Sequence, residues 1–452
     1  MTEDIITATA TAWGEGGIAI VRLSGEGCAA LVDKIFHGKR LFSEQPPRYM
    51  ALGALRSAAG EAIDEALSVR FEKNASYTGE ESAEIHCHGG ALAAQRCVEE
   101  LCALGARIAL PGEFTRRAFV NGRIDLAQAE AVLGIIKARS DEGLRASARS
   151  LQGGLTEEIR NFMERLTELT AALEVDLDFP EEGEGFISGE ESLSRMAKLA
   201  DSCRELISRC RSGMLLREGV RAAIAGAPNV GKSSLLNALL NENRAIVTAT
   251  PGTTRDSIEE TFIHKGVPVR IIDTAGIRET EDEIEAIGVR RSFRSIEEAD
   301  IVLWLIDGSS PEALDDAPPA AAGRLLLVVN KNDLPQAVDI DTLREKFPNR
   351  PLLSISAATG DGVDELKELI VTSLCGGENL SGCYAVTARQ MECLTTAGEA
   401  IKAASAALAS ASGDDLTLSA LADARAALSA LLGIDASEDL LDKVFGSFCV
   451  GK

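Results

Sequence analysis

No apolar run in this chain is long enough to cross a bilayer. The longest, such as Ile301-Val302-Leu303-Trp304-Leu305-Ile306, fall far short of the ~20 residues that a membrane helix needs, and read as buried strands. The N-terminus, Met1-Thr2-Glu3-Asp4, has no basic n-region and is not arginine-rich; neither a secretory signal nor a transit peptide is expected there. CxxC pairs are missing as well. Ten cysteines in 452 residues without such pairs make no disulfide framework, and a reducing cytoplasm is the expected location. Excess positive charge is the plainest absence. The net charge is −24, and none of the stretches 1–120, 121–217 and 218–452 is basic. That excludes unassisted, salt-sensitive binding along a phosphate backbone. A nucleic acid could be held only through a local patch or a partner. No internal repeat at solenoid periods is found.

Hydrophobic residues make up 45% of the chain, ample for ordinary cores, and the length suggests two to four domains at ~100–200 residues each. Three textures follow one another. Residues 1–120 mix short β-rich runs (Ile18 to Leu23, Ala83 to His88) with turn signals at Gly16-Gly17, Gly89-Gly90 and Pro111-Gly112. From about 121 to 217 the period is helical: Ile159, Phe162, Leu166, Leu169 and Leu173 form one stripe, and Met196, Cys203, Leu206, Cys210 and Met214 another. Between them the acidic stretch Glu174 to Glu184, with Pro180, reads as a solvated loop. From about 218 to 377 apolar runs alternate with helical stretches, as in a parallel sheet with crossover helices. Helical texture returns over 378–452, where Gly433 reads as a helix C-cap. The third region is thus expected as an insertion between two halves of a helical domain.

Gly226-Ala227-Pro228-Asn229-Val230-Gly231-Lys232-Ser233-Ser234 fits the phosphate-loop pattern between a strand-like run, Ala222 to Ala225, and a helix former. Glycines let backbone N–H groups close around phosphates, Lys232 reaches the β/γ-phosphates, and the Ser233 hydroxyl binds Mg²⁺. Asp273-Thr274-Ala275-Gly276 follows Ile271-Ile272; Asp273 would hold Mg²⁺ through water and the Gly276 N–H would sense the γ-phosphate. Between the motifs, Thr254 is the expected switch ligand of Mg²⁺. Asn330-Lys331-Asn332-Asp333 follows Leu325 to Val329. A carboxylate at Asp333 accepts from guanine N1–H and from the 2-amino group, a donor pair that adenine lacks. Ser356-Ala357-Ala358 would back the base. The order of these motifs makes the region a Ras-like P-loop GTPase domain with a doubly wound, mostly parallel sheet. Many regulatory GTPases carry a glutamine after D-x-x-G; Ile277 stands here and cannot orient water. Glu285 is a candidate for that task, and Asn229 for ligating a monovalent cation beside the phosphates.

Marks outside this domain carry a resemblance. They are Thr9-Ala10-Thr11, Tyr77-Thr78-Gly79-Glu80, His88-Gly89-Gly90, the run from Pro111 to Phe119, the run from Asp125 to Ala131, and the terminal Phe448-Cys449-Val450-Gly451-Lys452. With the nucleotide motifs they resemble the MnmE (TrmE) family of tRNA modification GTPases over essentially the whole length. The resemblance implies an N-terminal α+β domain (1–120) that binds folate and forms a homodimer, and a helical domain in two halves (121–217 and 378–452). It implies an inserted GTPase domain (218–377). It implies a FAD-containing partner, MnmG (GidA), in a heterotetramer or larger assembly that carries most of the tRNA contact. Together they would modify C5 of the wobble uridine (position 34), with a 5-formyl or 5,10-methylene tetrahydrofolate as one-carbon donor. K⁺ would be held by Asn229, Thr248, Thr250 and Thr253, stimulating hydrolysis as two GTPase domains meet; Glu285 would orient water. Folate would be bound by Arg22, Glu84, Arg123 and Lys452, and Cys449 would act in the modification step. The family often has lysine where Arg123 stands, which keeps the charge and changes the geometry. His86 and His88 fall on one strand face, too few for a structural zinc, and Cys97, Cys102, Cys203 and Cys210 read as apolar helix-face residues. Two rivals stay open: a GTP-dependent ribosome assembly factor, and a folate-dependent transferase in which GTP only regulates.

Overall fold

Val21 and Leu23 alternate with Ile20 and Arg22, and that period of two sets how the N-terminal region folds. The computed structural model describes residues 4–178, 189–240, 260–272, 298–311, 324–375, 380, 382–410 and 414–452. Its first sheet has seven strands: β1 (Ile6–Thr9), β2 (Ile18–Ser24), β3 (Phe36–Gly38), β4 (Ala51–Arg56), β5 (Ala62–Phe71), β6 (Ser82–His88) and β7 (Arg107–Ile108). Their order is β3-β4-β5-β6-β2-β1-β7. All neighbours run antiparallel except β1 and β7. Val21, Leu23, Ile85 and Cys87 share a buried core with Cys97 and Leu101 of the helix Ala91–Ala103. The opposite parity of the same strands carries Arg22 directly across from Glu84, so the pairing register alone brings two of the expected site residues together.

The helical stripe forms as expected. Ile159, Phe162, Leu166, Leu169 and Leu173 are all buried on the helix Gly154–Asp178, which packs against the helix Asp414–Leu432. Gly433 follows that second helix at φ +80°, the left-handed turn that ends a helix cheaply only as glycine. The acidic stretch is a partial correction: it is helical as far as Asp178, and its remainder lies outside the described residues. Charge by itself does not stop a helix. The helix Glu438–Phe445, N-capped by Ser437 through the Leu440 N–H (3.3 Å), and the turn after it pack Phe445 and Phe448 on Leu126, Ala129 and Leu133.

A second sheet has six strands: β8 (Val220–Gly226), β9 (Glu260–His264), β10 (Val267–Ile272), β11 (Ile301–Asp307), β12 (Leu325–Asn330) and β13 (Leu352–Ser354). The order is β13-β12-β11-β8-β10-β9, parallel throughout except at β9. Leu235 and Leu239 of the helix Lys232–Leu240, with Leu366 and Ile370 of the helix Val363–Cys375, join one core with Ala222 and Ile224. Leu343 of the helix Ile340–Lys346 fills another with Val302, Leu327 and Val329. Helices thus cover both faces, the doubly wound arrangement expected. Internal contacts divide the chain into two compact units: Met1–Leu133, Leu151–Leu199 and Glu392–Lys452 in one, Gly134–Ser150 and Ala200–Met391 in the other.

Candidate functional site

Doubly wound sheets bind ligands at the carboxyl ends of their strands, where the strand order reverses. Here β8 is followed outward by β10 and β9 on one side and by β11, β12 and β13 on the other. The phosphate loop leaves β8 at that point. Gly226 has φ +145°, and a Cβ there would lie 2.4 Å from the Leu305 carbonyl oxygen. Gly231, at φ +98°, sits so close to the Asn330 side chain that a Cβ would meet its Nδ2 at 2.3 Å. Val230 is buried between them. Lys232 opens the following helix, and its half-buried ammonium donates to the Gly226 carbonyl (3.0 Å) and the Ala227 carbonyl (2.7 Å). Burial holds its pKa below the ordinary lysine value. Ser233 and Ser234 stand in the same first turn, at the helix N-terminus, the end that favours phosphate.

The loop expected to recognise the base follows β12. Asn330 is buried; its Nδ2 donates to the Val230 carbonyl (2.8 Å) and its Oδ1 accepts from the Ala357 N–H (2.9 Å). One amide therefore ties three loops together. Lys331 has φ +66° and donates to Asp307 Oδ2 at 2.6 Å. Burial pushes the Asp307 carboxyl up, but the hydrogen bonds from Lys331 and Ser309 outweigh it and hold the group below the usual carboxylate range. Asp333 accepts from the Ser356 hydroxyl at 2.6 Å, and Ser356 Oγ accepts from the Thr359 N–H at 3.1 Å. Ser356 and Ala357 are buried, and Ala358 is exposed beside them. Asp307 was not among the residues expected from sequence. Its signal was available: an acid ending the apolar run of β11, at the strand end where ligands bind. The expected Thr248, Thr250, Thr253, Thr254, Asp273, Thr274, Ala275, Gly276 and Glu285 lie outside the described residues, as does Ile277.

A second constellation sits in the other unit. Arg22, Glu84 and Arg123 line one pocket of about 220 Å³ together with Tyr77. Arg22 pairs with Glu84 at 2.9 Å and lies over the rings of Tyr77 (5.5 Å) and Phe114 (5.7 Å). Arg123 stacks on Tyr77 (5.6 Å) and donates to its carbonyl oxygen (2.6 Å). The His86 ring and the Arg22 guanidinium hold the Glu84 carboxyl below the usual range, against the opposing effect of burial. Tyr77 is the residue that motif reading quoted without a role. Lys452 does not line this pocket. Its carbonyl accepts from the Phe114 N–H (3.1 Å), and the Cys449 carbonyl accepts from the Gly112 N–H (3.4 Å). The C-terminal residues are thereby seated at the start of the helix Glu113–Val120, on the backbone of Phe114, the residue whose ring Arg22 covers. The Cys449 thiol is exposed. His86 and His88 are engaged by Glu84 and Asp64, and the described residues contain no cluster fit to hold a metal ion. None of the described helices is long and apolar enough to cross a membrane.

Two family models match: the MnmE helical domain over residues 126–449 and the GTP-binding protein TrmE N-terminus over residues 5–123. The chain belongs to the MnmE family. Among its relatives, the tRNA modification GTPase MnmE of Symbiobacterium thermophilum is 43% identical over all of both chains. That of Geobacter sulfurreducens is 43% identical over all of this chain and 99% of the relative. That of Moorella thermoacetica is 44% identical over all of both. As a member of the MnmE family the chain is a GTP-binding GTP hydrolase.

Proposed function

We propose that this chain is the GTP-hydrolysing component of a two-protein tRNA modification enzyme. With the FAD-containing MnmG (GidA) it would install an aminomethyl or carboxymethylaminomethyl group at C5 of the wobble uridine of certain tRNAs. The observation that carries the reading is that one chain, alike to MnmE relatives over its full length, holds both a guanine-type loop and the Arg22–Glu84–Arg123 pocket.

Ser233 and Thr254 would hold Mg²⁺, and Asn229, Thr248, Thr250 and Thr253 would hold K⁺. Ser233 and Asn229 offer oxygen donors, the ligand type hard cations take. Bound cations would neutralise charge developing on the phosphates. The chain's own part is to grip the triphosphate with Lys232 and loop amides, to admit guanine through Asp333, and to orient water with Glu285. The paired guanidiniums, the Tyr77 ring and the Glu84 carboxylate suit the mixed aromatic and anionic character of a reduced folate. At about 220 Å³ the pocket is smaller than the ~300–1,000 Å³ usual for whole ligands, so it fits part of a folate, with Lys452 and a second copy of the chain completing the site. Cys449 would act in the modification step.

Hydrolysis of GTP by the purified chain, in K⁺ and then in Na⁺, tests the cation bridge: a rate at least about tenfold higher in K⁺ is expected, and equal rates would remove it. Mass spectrometry of tRNA from a deletion strain tests the rest. Loss of the wobble C5 group is expected; intact modification with defective ribosomal subunits would instead make the chain an assembly factor.

A further inference from the structure

We infer that Asp307 and Gln336, two residues that need never touch the nucleotide, are positioning residues for guanine recognition: they clamp Lys331 from both ends and so fix where Asp333 presents its carboxylate. The inference rests on the guanine reading of this loop and extends it.

Lys331 lies between the buried anchor Asn330 and the base acceptor Asp333, at φ +66°, a region that L side chains rarely occupy. Nothing in its sequence favours that conformation, so neighbours must impose it. Its ammonium is taken by Asp307 Oδ2 at 2.6 Å. The other oxygen of that carboxylate, Oδ1, accepts from the Ser309 N–H (3.0 Å) and hydroxyl (2.7 Å), so the carboxylate cannot swing away. The Lys331 carbonyl accepts from Gln336 Nε2 at 2.8 Å, and the same amide donates to the Leu334 carbonyl at 2.9 Å. Gln336 thus spans the loop on both sides of Asp333. Gly308 joins the two clamps. Its N–H donates to the Asn330 carbonyl (3.0 Å), its carbonyl accepts from Ala337 N–H (2.8 Å), and a Cβ on it would strike Gln336 Oε1 at 2.3 Å. The turn after β11 and the segment after Asp333 therefore form one stitched frame around Lys331. Ser356 fixes Asp333 Oδ1 from the far side. With Lys331 released, the chain two residues before the carboxylate is free to relax toward ordinary backbone, and Asp333 leaves the guanine edge.

A structural contribution alone would weaken binding of any purine triphosphate equally. A positioning role weakens guanine more than hypoxanthine, because only guanine carries the 2-amino group that Asp333 accepts. The test uses the full chain and the variants Gln336→Ala and Asp307→Asn, with KM and kcat measured for GTP and for ITP. Gln336 is exposed, so its variant folds even where Asp307→Asn does not. We expect the KM for GTP to rise about tenfold, that for ITP at most about threefold, and kcat at saturation to stay within about twofold. Asp307→Glu, which keeps an anion opposite Lys331, should recover most of the loss. Equal rises for GTP and ITP, or an unchanged KM in both variants, would overturn the inference. A parent chain that ignores GTP altogether would instead overturn the guanine reading on which it stands.

Discussion

Asn330 carries two loads with one side chain. Its amide satisfies the Val230 carbonyl and the Ala357 N–H, both in buried surroundings. Replacing it by alanine leaves two backbone groups without partners, each costing about 1–3 kcal/mol when buried. Asn330→Ala is therefore expected to destabilise the second compact unit by about 2–6 kcal/mol and to weaken GDP binding by more than about tenfold. Trp304, on β11 beside this site, is a built-in probe of that unit. The second tryptophan of the chain, Trp13, is 74% exposed and contributes little change. Urea unfolding followed by fluorescence would show the loss; an unchanged midpoint would mean that other groups or water replace the amide. The same site shows what sequence reading reaches at this scale. Lys232 and Asp333 were legible because their chemistry is carried by short local patterns. Asp307 and Tyr77 were not, because each acquires its role from residues far away in the chain: Asp307 from Lys331, Tyr77 from Arg22 and Arg123.

At the scale of elements, the start of the helix Glu113–Val120 is held by a chain of charges. Arg107 bridges Asp4 and Glu113 at 2.7 Å each. Arg117, only 8% exposed, reaches Asp4, Glu80 and Glu113. Hydrogen bonding from Arg107, joined by Arg117, lowers the Asp4 pKa to about 2 despite some burial. Burial pushes Glu113 up, yet Arg107, the Leu110 N–H and Arg117 bring it below the usual value. Both carboxyls have folded-state pKa values depressed below those of the unfolded chain. Their stabilisation is present above pH ~4 and is lost as the pH falls from about 4 toward 2. The N-terminal unit should therefore unfold at lower temperature at pH 3 than at pH 5. Arg117→Ala should flatten that dependence while costing about 1–3 kcal/mol at neutral pH, because the buried Glu113 carboxylate loses one of its donors and keeps only Arg107 and the Leu110 N–H. Circular dichroism melts of parent and variant across this range decide it; parallel curves would show that the network does not govern acid stability. Gly433→Ala is a sharper element-scale case. A side chain there adopts φ +80° and meets Leu126 Cβ at 2.6 Å, so the cost should exceed the ~1 kcal/mol of left-handed backbone alone, read as a lowered melting temperature. This turn was legible from sequence, as were β2, β6, β11 and the stripe of the helix Gly154–Asp178, since an unbroken period of two or of three and four states which face is buried. The acidic stretch after Leu173 was misread in part because charge marks solvent exposure, which helices share with loops.

At the scale of the whole molecule, composition and proposed role pull against each other. A chain proposed to act in tRNA modification carries a net charge of −24, and several of its described arginines are committed internally: Arg22 to Glu84, Arg107 and Arg117 to their shared acids, Arg116 to Glu438 and Asp442. Binding to a phosphate backbone is driven by release of counterions as basic groups replace them. Neither the net field nor these paired guanidiniums can supply that. Under the proposed function the positive surface would belong to the partner, and opposite fields would steer the association of the two proteins. Filter binding of tRNA to the chain alone at physiological salt should give a dissociation constant no tighter than the non-specific range of about 10⁻⁴–10⁻⁶ M. Addition of the FAD-containing partner should tighten it by orders of magnitude, with a steep salt dependence that appears only in the mixture. Tight, salt-dependent binding by the chain alone would place the basic contact surface within its own sequence and return the partner to a purely catalytic part.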